Sequence, residues 1–209
     1  MLNRRHFLTS GLAAGTLGLS SPVLAHRKNQ RYVLPEKFMP REVQLDRNLK
    51  AGEVHVYPSE FALYWTLPNN RAIRWAVGIG RGNLYHPGTF FVRAKQKWPR
   101  WIPTHDMKKR SPGAYRKFLP GGIYENGQPG GIANPLGARA LYLYTASGRD
   151  TYLRIHGTND PRTIGVEVSN GCAWLVNDQV KKLYDMVPLG TKVVLNKKVG
   201  AGPAHSNIS

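Results

Sequence analysis

The fold of this chain is decided in the stretch Arg71-Ala72-Ile73-Arg74-Trp75-Ala76-Val77-Gly78, an apolar-rich run that carries polar side chains only at Arg71 and Arg74. Such a run predicts a half-buried β-strand. Pro68-Asn69-Asn70 marks a turn just before it, and Phe61-Ala62-Leu63-Tyr64-Trp65 is a second apolar-rich run before the turn. Together they predict a β-hairpin, and Val54-His55-Val56-Tyr57 predicts one more strand ahead of it.

The rest of the chain follows the same pattern. Further strands are predicted at 89–92, 139–145, 151–156 and 191–195. Residues 177–186 predict the one clear helix, because their apolar side chains recur at helical spacing and Pro188 ends the run. The fold class predicted is therefore mostly β, with one short helix, a single domain over residues 51–198 and no internal repeats.

Residues 95–138 lose this periodicity and are rich in Pro and Gly. A loop of this length inside a compact domain is usually functional, and an active-site lid is the interpretation adopted here. The alternative is a disordered insertion, although the Trp and Tyr residues of the segment favour packing. Trp98 and Trp101 either pack the lid or offer a platform for a glycan.

The N-terminus predicts export. Residues 1–25 combine Asn3-Arg4-Arg5-His6-Phe7-Leu8, typical of a twin-arginine signal, with an apolar run and the small-residue site Val23-Leu24-Ala25. The alternative is an uncleaved membrane anchor. Residues 26–50 predict an extended lead-in and 199–209 a flexible tail. The predicted location is the bacterial periplasm.

The chain has 209 residues and a formal net charge of +18, which loses two units if Arg4 and Arg5 leave with the signal. Such a charge predicts polyanionic surroundings. Nucleic acid is the usual partner of a basic protein, but export argues against it. Membrane head groups and the carboxylates of the peptidoglycan sacculus are the anions we expect instead. The oligomeric state is left open.

Cys172 is the only cysteine and lies in Val168-Ser169-Asn170-Gly171-Cys172-Ala173-Trp174. A lone thiol in an oxidising compartment is either a buried, inert side chain or a nucleophile. Gly171 allows a sharp turn before it, and the second motif, Ile155-His156-Gly157-Thr158, offers a base. His156 seen alone could equally be a core histidine.

Spaced motifs resemble the catalytic domain of the L,D-transpeptidase (YkuD-type) family over about residues 50–197. They are Asn134-Pro135-Leu136-Gly137, Ile155-His156-Gly157-Thr158-Asn159, Ser169-x-Gly171-Cys172, Asn177-Asp178 and Val187-Pro188-x-Gly190-Thr191. The resemblance implies a β-sandwich-like fold. It also implies a cysteine that takes an acyl group from a peptidoglycan stem peptide, at diaminopimelate, and passes it to an amine or water.

The resemblance also implies roles for single residues. Cys172 is the nucleophile, and His156 stabilises its thiolate and later protonates the leaving amine, while the carbonyl of Gly157 holds the other imidazole nitrogen. The backbone N–H groups of Asn170, Gly171 and Cys172 form an oxyanion hole. The expected substrate-binding residues are Arg139, Thr158, Asn159, Ser169 and Trp174, and no metal or cofactor is expected. Ser169 can instead hold the turn, and Arg139 can instead shape the domain.

Two departures from the family pattern stand beside the nucleophile. Asn170 replaces a His, and Ala173-Trp174 replaces an Ile-Arg pair. Because a guanidinium can bind a stem-peptide carboxylate bidentately, loss of that Arg predicts a shifted donor or acceptor preference. Three functions remain open at this point: an active cysteine transpeptidase, a catalytically silent peptidoglycan binder and a basic nucleic-acid binder.

Overall fold

The computed structural model describes residues 32–199. The predicted export signal and residues 200–209 of the predicted tail lie outside this range. The described chain forms eleven strands, two α-helices and five short 3-10 helices, so the mostly-β prediction is confirmed. The strands are β1 (Arg41–Gln44), β2 (Val54–Tyr57), β3 (Ala62–Leu67), β4 (Arg71–Ala76), β5 (Ile79–Gly80), β6 (Gly88–Lys97), β7 (Arg139–Tyr144), β8 (Asp150–His156), β9 (Glu167–Ser169), β10 (Ala173–Trp174) and β11 (Lys192–Leu195).

Nine strands form one sheet in the order β1-β4-β3-β2-β11-β6-β7-β8-β10, and β5 pairs with β9 in a second, small sheet. The predicted hairpin is β3–β4, and its turn residues Asn69 and Asn70 have φ values of +61° and +54°. Two positive φ values give a tight turn whose twist matches the strands. At the far edge β10 runs parallel to β8, with Trp174 opposite His156. This pairing brings the two predicted catalytic motifs side by side.

The core lies between the large sheet and the helix α2 (Asn177–Met186), whose bounds are those predicted. Val180 and Leu183 of this helix are fully buried and belong to the same cluster as Leu141, Leu143 and Ile155 of the sheet. Burying a side chain of this size stabilises the fold by roughly 1.5–3 kcal/mol. The helix is therefore fixed against the strands that carry the second motif.

Residues 32–50, the described part of the predicted lead-in, pack against the rest of the domain. The predicted lead-in contributes β1, which pairs antiparallel with β4 and places Val43 opposite Ala72. Phe38 packs near Ile164 and Trp174, and its carbonyl accepts a hydrogen bond from Gln179 Nε2 at 3.1 Å. The extended prediction holds for β1, but its edge pairing could not be read from the polar sequence.

Residues 98–138 form a folded lid rather than a disordered insertion. It contains a second α-helix, α1 (His105–Arg110), which corrects the expectation of one helix. This helix buries none of its six residues, so it leaves no apolar periodicity to detect. Trp101 packs edge-on against Phe118, with ring centroids 4.9 Å apart, and Phe118 contacts Tyr124 at 5.5 Å. Trp101 therefore packs the lid.

Asn134 pins the lid to the domain. Its side chain is 1% exposed. Its amide donates to the carbonyls of Pro99, Gln128 and Pro129 at 2.9–3.2 Å, and its oxygen accepts from Leu136 N–H at 2.8 Å. The Asn134 motif thus shapes the domain. Within residues 32–199, none of the helices has both the length and the apolar character needed to cross a membrane.

Candidate active site

A cavity of about 850 Å³ opens where the lid faces the ends of β8 and β10. Its walls include both predicted catalytic side chains, Cys172 and His156, together with Trp101, Arg110 and Tyr115 from the lid. A concave site with a few convergent polar groups is the usual form of a small-molecule or peptide site. The two motifs that the sequence separates therefore meet in one cavity.

His156 is the last residue of β8 and is 7% exposed. Its Nδ1 lies 2.5 Å from the carbonyl oxygen of Gly157. Because a carbonyl only accepts hydrogen bonds, Nδ1 must carry the proton and donate it, which leaves Nε2 of the neutral ring with a free lone pair. His156 is thus oriented by the backbone and keeps one nitrogen available as a base.

The Gly157 carbonyl is itself held in place. The N–H of Gly157 donates to the carbonyl of Arg139 at 3.0 Å. Any Cβ at Gly157 would lie 2.3 Å from Asn177 Oδ1, and that oxygen accepts a hydrogen bond from Ala138 N–H at 2.8 Å. Only glycine fits there. The sequence therefore fixes the imidazole through its neighbour rather than through a carboxylate.

Cys172 lies in the turn between β9 and β10. The register that sets Ala173 opposite Ile155 brings the cysteine beside Arg154 on β8. Gly171 has φ +127°, and a Cβ there would approach the Leu84 carbonyl to 2.8 Å. This turn requires glycine before the nucleophile, as the sequence predicted.

Ser169 braces the same turn from within. Its hydroxyl donates to the Cys172 carbonyl at 2.9 Å and accepts from the Gly171 N–H at 3.2 Å. Ser169 borders the cavity and its hydroxyl supports the turn, so the alternative role of holding the turn is observed and the substrate contact stays a prediction. The Gly171 N–H is also used. Among the described residues, the N–H groups of Asn170 and Cys172 have no acceptor, so these two are the donors left for an oxyanion.

Burial sets the charge state of the pair. It lowers the pKa of His156 to about 4, with the Gly157 hydrogen bond acting in the opposite direction and the Arg154 charge adding to the fall. It raises the pKa of the Cys172 thiol, although the Arg154 backbone and charge oppose the rise. Burial therefore favours the uncharged form of both groups, and a thiolate stabilised by His156 stays a prediction.

Trp174 borders the cavity, but most of its side chain is packed inside the domain. It is 3% exposed, and its indole N–H donates to Thr163 Oγ1 at 2.8 Å. The ring stacks near His156 with centroids 6.3 Å apart, and a Cβ at Gly78 would come within 2.2 Å of it. The indole therefore packs behind the histidine in the space that Gly78 leaves, and the expected substrate contact stays a prediction.

The other expected substrate residues divide into two groups. Arg139 lies outside the cavity. Its guanidinium donates to the Ala138 carbonyl at 2.8 Å and lies 5.5 Å from the centre of the Tyr184 ring. The expected substrate contact of Arg139 is therefore corrected. Thr158 and Asn159 line the cavity. Asn159 Nδ2 also donates to the Ala133 carbonyl of the lid segment at 3.1 Å.

Arg154 was missed by the sequence analysis. It lines the cavity two residues before His156 on the same strand. Asp150 holds its guanidinium with both carboxylate oxygens, at 2.7 and 2.8 Å, while the guanidinium lies 4.1 Å over the Tyr142 ring. Period-two alternation on β8 is the signal that could have found it, since residues two apart share a face.

Asn170 connects the nucleophile turn to the lid. Its Oδ1 accepts from Arg110 Nη2 at 3.0 Å, and its Nδ2 donates to the Tyr115 hydroxyl at 3.3 Å. The partners lie 60 and 55 residues away in the chain, so no local sequence pattern could predict these contacts. In the described part of the chain, no three His, Cys, Asp or Glu side chains are grouped to hold a metal.

A cysteine presented by a glycine turn shares this cavity with a histidine that has one free nitrogen, an arrangement typical of nucleophilic cysteine chemistry. Residues 51–195 match the L,D-transpeptidase catalytic domain (YkuD), and the chain belongs to this family. Members of the family are cysteine acyltransferases.

Relatives agree with this assignment. The chain is 34% identical over 161 residues to the probable L,D-transpeptidase ErfK/SrfK of Escherichia coli, covering 74% of this chain and 47% of that protein. It is 35% identical over 211 residues to a putative L,D-transpeptidase of Fuscovulum blasticum, covering 92% and 96%. The chain thus spans about half the length of the Escherichia coli relative, but nearly the whole length of the Fuscovulum blasticum relative.

One solved structure shares both sequence and fold. It is described as a probable carnitine operon oxidoreductase from Brucella melitensis, is 41% identical and has a TM-score of 0.52, covering 77% of this chain and 95% of that one. That description belongs to that protein.

Proposed function

We propose that this protein is an exported L,D-transpeptidase that acts on peptidoglycan stem peptides through Cys172. The observation that carries the proposal is the free Nε2 of His156 in the cavity that Cys172 lines. A base with an open nitrogen and a nucleophile on one cavity wall are what acyl transfer requires. The family's action on stem peptides supplies the substrate class.

The uncharged resting pair decides how the thiol is activated. As the Cys172 sulfur attacks the carbonyl carbon of the donor, His156 Nε2 takes the thiol proton. The resulting oxyanion is stabilised by the N–H groups of Asn170 and Cys172, each worth on the order of 10²–10³ in rate. Collapse breaks the C–N bond, and His156 returns the proton to the leaving amine, which yields a thioester.

The second half reverses these roles. An acceptor amine attacks the thioester carbonyl, and His156 removes a proton from the amine as the new bond forms. Collapse of the intermediate releases the sulfur, which regains a proton from His156. Because the same imidazole serves both halves, its neutral resting form suits a cycle that begins with proton abstraction.

The site departs from the family pattern at position 174, and we propose a shifted donor or acceptor preference for that reason. Trp174 offers no guanidinium to the substrate, and only a small part of its side chain is exposed at the cavity. Muropeptides released after incubation with sacculi report the bond formed. Products confined to ordinary crosslinks between third residues would argue against any shift.

Export to the periplasm is the proposed location. It rests on the twin-arginine pattern of residues 1–25 and on the formal net charge of +18, which suits an anionic sacculus or membrane surface. Cell fractionation with Arg4→Lys and Arg5→Lys together tests it. Retention of this variant in the cytoplasm is expected, and unchanged export would contradict the twin-arginine route. The mature N-terminus then shows whether the signal is cleaved.

Mass spectrometry of sacculus products, with wild type and Cys172→Ala, tests the activity. We expect new crosslinked or exchanged muropeptides with the wild type and none with the variant. A silent peptidoglycan binder would pellet with sacculi and leave them unchanged.

A further inference from the structure

Three arginines line the cavity, and they differ in what holds them: Arg100, Arg110 and Arg154. Asp150 neutralises Arg154 with two short hydrogen bonds, and Arg100 Nη1 donates to the Asn126 carbonyl at 2.8 Å. Arg110 has only a neutral contact, to Asn170 Oδ1. Its guanidinium is thus the one without a charged or backbone partner among these three.

No carboxylate within residues 32–199 forms an ion pair with Arg110. Asp106 lies one turn earlier on α1 and also borders the cavity, yet it does not pair with the arginine. A guanidinium has five N–H donors in a planar fork, and Asn170 uses one of its nitrogens. The remaining donors suit a planar anion such as a carboxylate.

The position of Arg110 relative to the nucleophile is set by Asn170. This residue stands two places before Cys172, and its amide is held on the other side by the Tyr115 hydroxyl. Arg110 is therefore held against the turn that presents the thiol rather than being free on the lid surface. An anion bound by Arg110 would lie close to the reacting bond.

We propose that Arg110 is a specificity-determining residue that binds a carboxylate of the stem peptide near the bond cleaved. The inference rests on the proposed function. The family's arginine is replaced by a tryptophan at position 174, and in this proposal Arg110 of the lid supplies a guanidinium instead. Stem peptides offer two such carboxylates, the C-terminal one and the one on the diaminopimelate side chain. The shared chemistry is the carboxylate, and the experiment separates the two sources.

The test uses three synthetic donor peptides: one with both carboxylates free, one amidated at its C-terminus and one amidated on the diaminopimelate side chain. Acyl-enzyme formation and release of the leaving amine are followed for wild type, Arg110→Gln and Arg110→Lys. Lys109→Gln is the matched control, because it removes an equal charge from the same helix and does not line the cavity.

For the free peptide we expect Arg110→Gln to lower kcat/KM on the order of 10- to 100-fold, mainly through KM, as befits a charge-assisted hydrogen bond. Arg110→Lys should recover part of this loss, and Lys109→Gln should have no effect. Amidation of the recognised carboxylate should weaken the wild type by a similar factor. On that peptide Arg110→Gln should add nothing, which identifies the source.

Equal losses for Arg110→Gln on all three peptides would overturn the inference and leave Arg110 as a support of the lid. So would an unchanged kcat/KM for the free peptide. Failure of the proposed function looks different, because the wild type would then match Cys172→Ala and form no acyl-enzyme with any of the peptides. Circular dichroism of each variant confirms that the fold is kept.

Discussion

Two buried histidines of this molecule, His55 in β2 and His156 in β8, show how similar burial supports different tasks. Both are less than a tenth exposed, and burial lowers the pKa of each. His55 Nε2 contacts the Glu53 carboxylate at 2.9 Å, and Lys192 lies 3.4 Å from that same carboxylate. His156 bonds only a backbone carbonyl through Nδ1. A carboxylate partner ties a histidine into a structural cluster, whereas a carbonyl partner orients it and leaves one nitrogen free.

Removing each imidazole in turn is the strongest test of the different roles assigned to His55 and His156. We expect His156→Gln to lower kcat/KM on the order of 10²–10⁴-fold, because the variant lacks the base for the thiol proton. His55→Gln should leave kcat/KM of the folded protein unchanged. Steady-state release of the leaving amine measures both. A larger loss in the His55 variant would mean that the assigned roles are reversed.

The pH dependence of stability is the next largest effect. The pKa of His156 falls from 6.5 to about 4 on folding. Between these values the unfolded chain binds the proton first, so the free energy of unfolding falls as pH drops from about 6.5 to 4, by up to about 3 kcal/mol. Urea unfolding at a series of pH values measures this.

His156→Gln supplies the matching control for the pH series, because it should flatten the curve by the share that His156 contributes. The part that remains should include His55, whose pKa is also lowered and whose contribution has the same sign. A curve with the same slope in the variant would contradict a neutral, buried His156.

Removing His55 from its cluster with Glu53 and Lys192 should lower the free energy of unfolding and leave the catalytic rate unchanged. His55→Leu leaves the buried Glu53 carboxylate with Lys192 alone. We expect a loss of about 2 kcal/mol in the free energy of unfolding, as for a buried polar group deprived of its partner. Denaturant midpoints measure it, and the kcat/KM per folded molecule should be that of the wild type. Equal stability would show that Glu53 is solvated.

The smallest effect expected is at the indole behind His156. Trp174→Phe keeps a ring beside the imidazole but loses the hydrogen bond to Thr163, so the free energy of unfolding should fall by about 1 kcal/mol. Thr163→Val removes the same bond together with the one that Thr163 Oγ1 donates to the Asp160 carbonyl at 2.6 Å, so the free energy of unfolding should fall at least as much. If only the tryptophan change lowered activity, the ring itself would orient His156.

The strands and the helix α2 could be predicted because their residues repeat at period two or 3.6 against one core. Leu141, Leu143 and Leu183 are examples, all nearly or fully buried. The strand β1 and the helix α1 could not, since few of their side chains are buried. In the site, Cys172, His156 and the Gly157 carbonyl follow from short motifs.

The rest of the site depends on contacts between distant parts of the chain. Arg110 and Tyr115 reach Asn170 across more than fifty residues, and no local pattern encodes such a meeting. The packing of Trp174 behind His156 could not be predicted, because it depends on Gly78, which admits the indole into the interior. The burial of the cysteine–histidine pair, which disfavours charge, could not be predicted either, because it depends on the whole fold.

The most direct test of the central claim is intact-protein mass spectrometry after rapid mixing with a tetrapeptide donor and no added amine. The account predicts a covalent adduct equal to the donor acyl group on the wild type, located on Cys172 by peptide mapping. It predicts no adduct on Cys172→Ala, and slow acylation in His156→Gln. An adduct that persists in the Cys172 variant, or a wild type that releases the leaving amine with no acyl-enzyme, would contradict it.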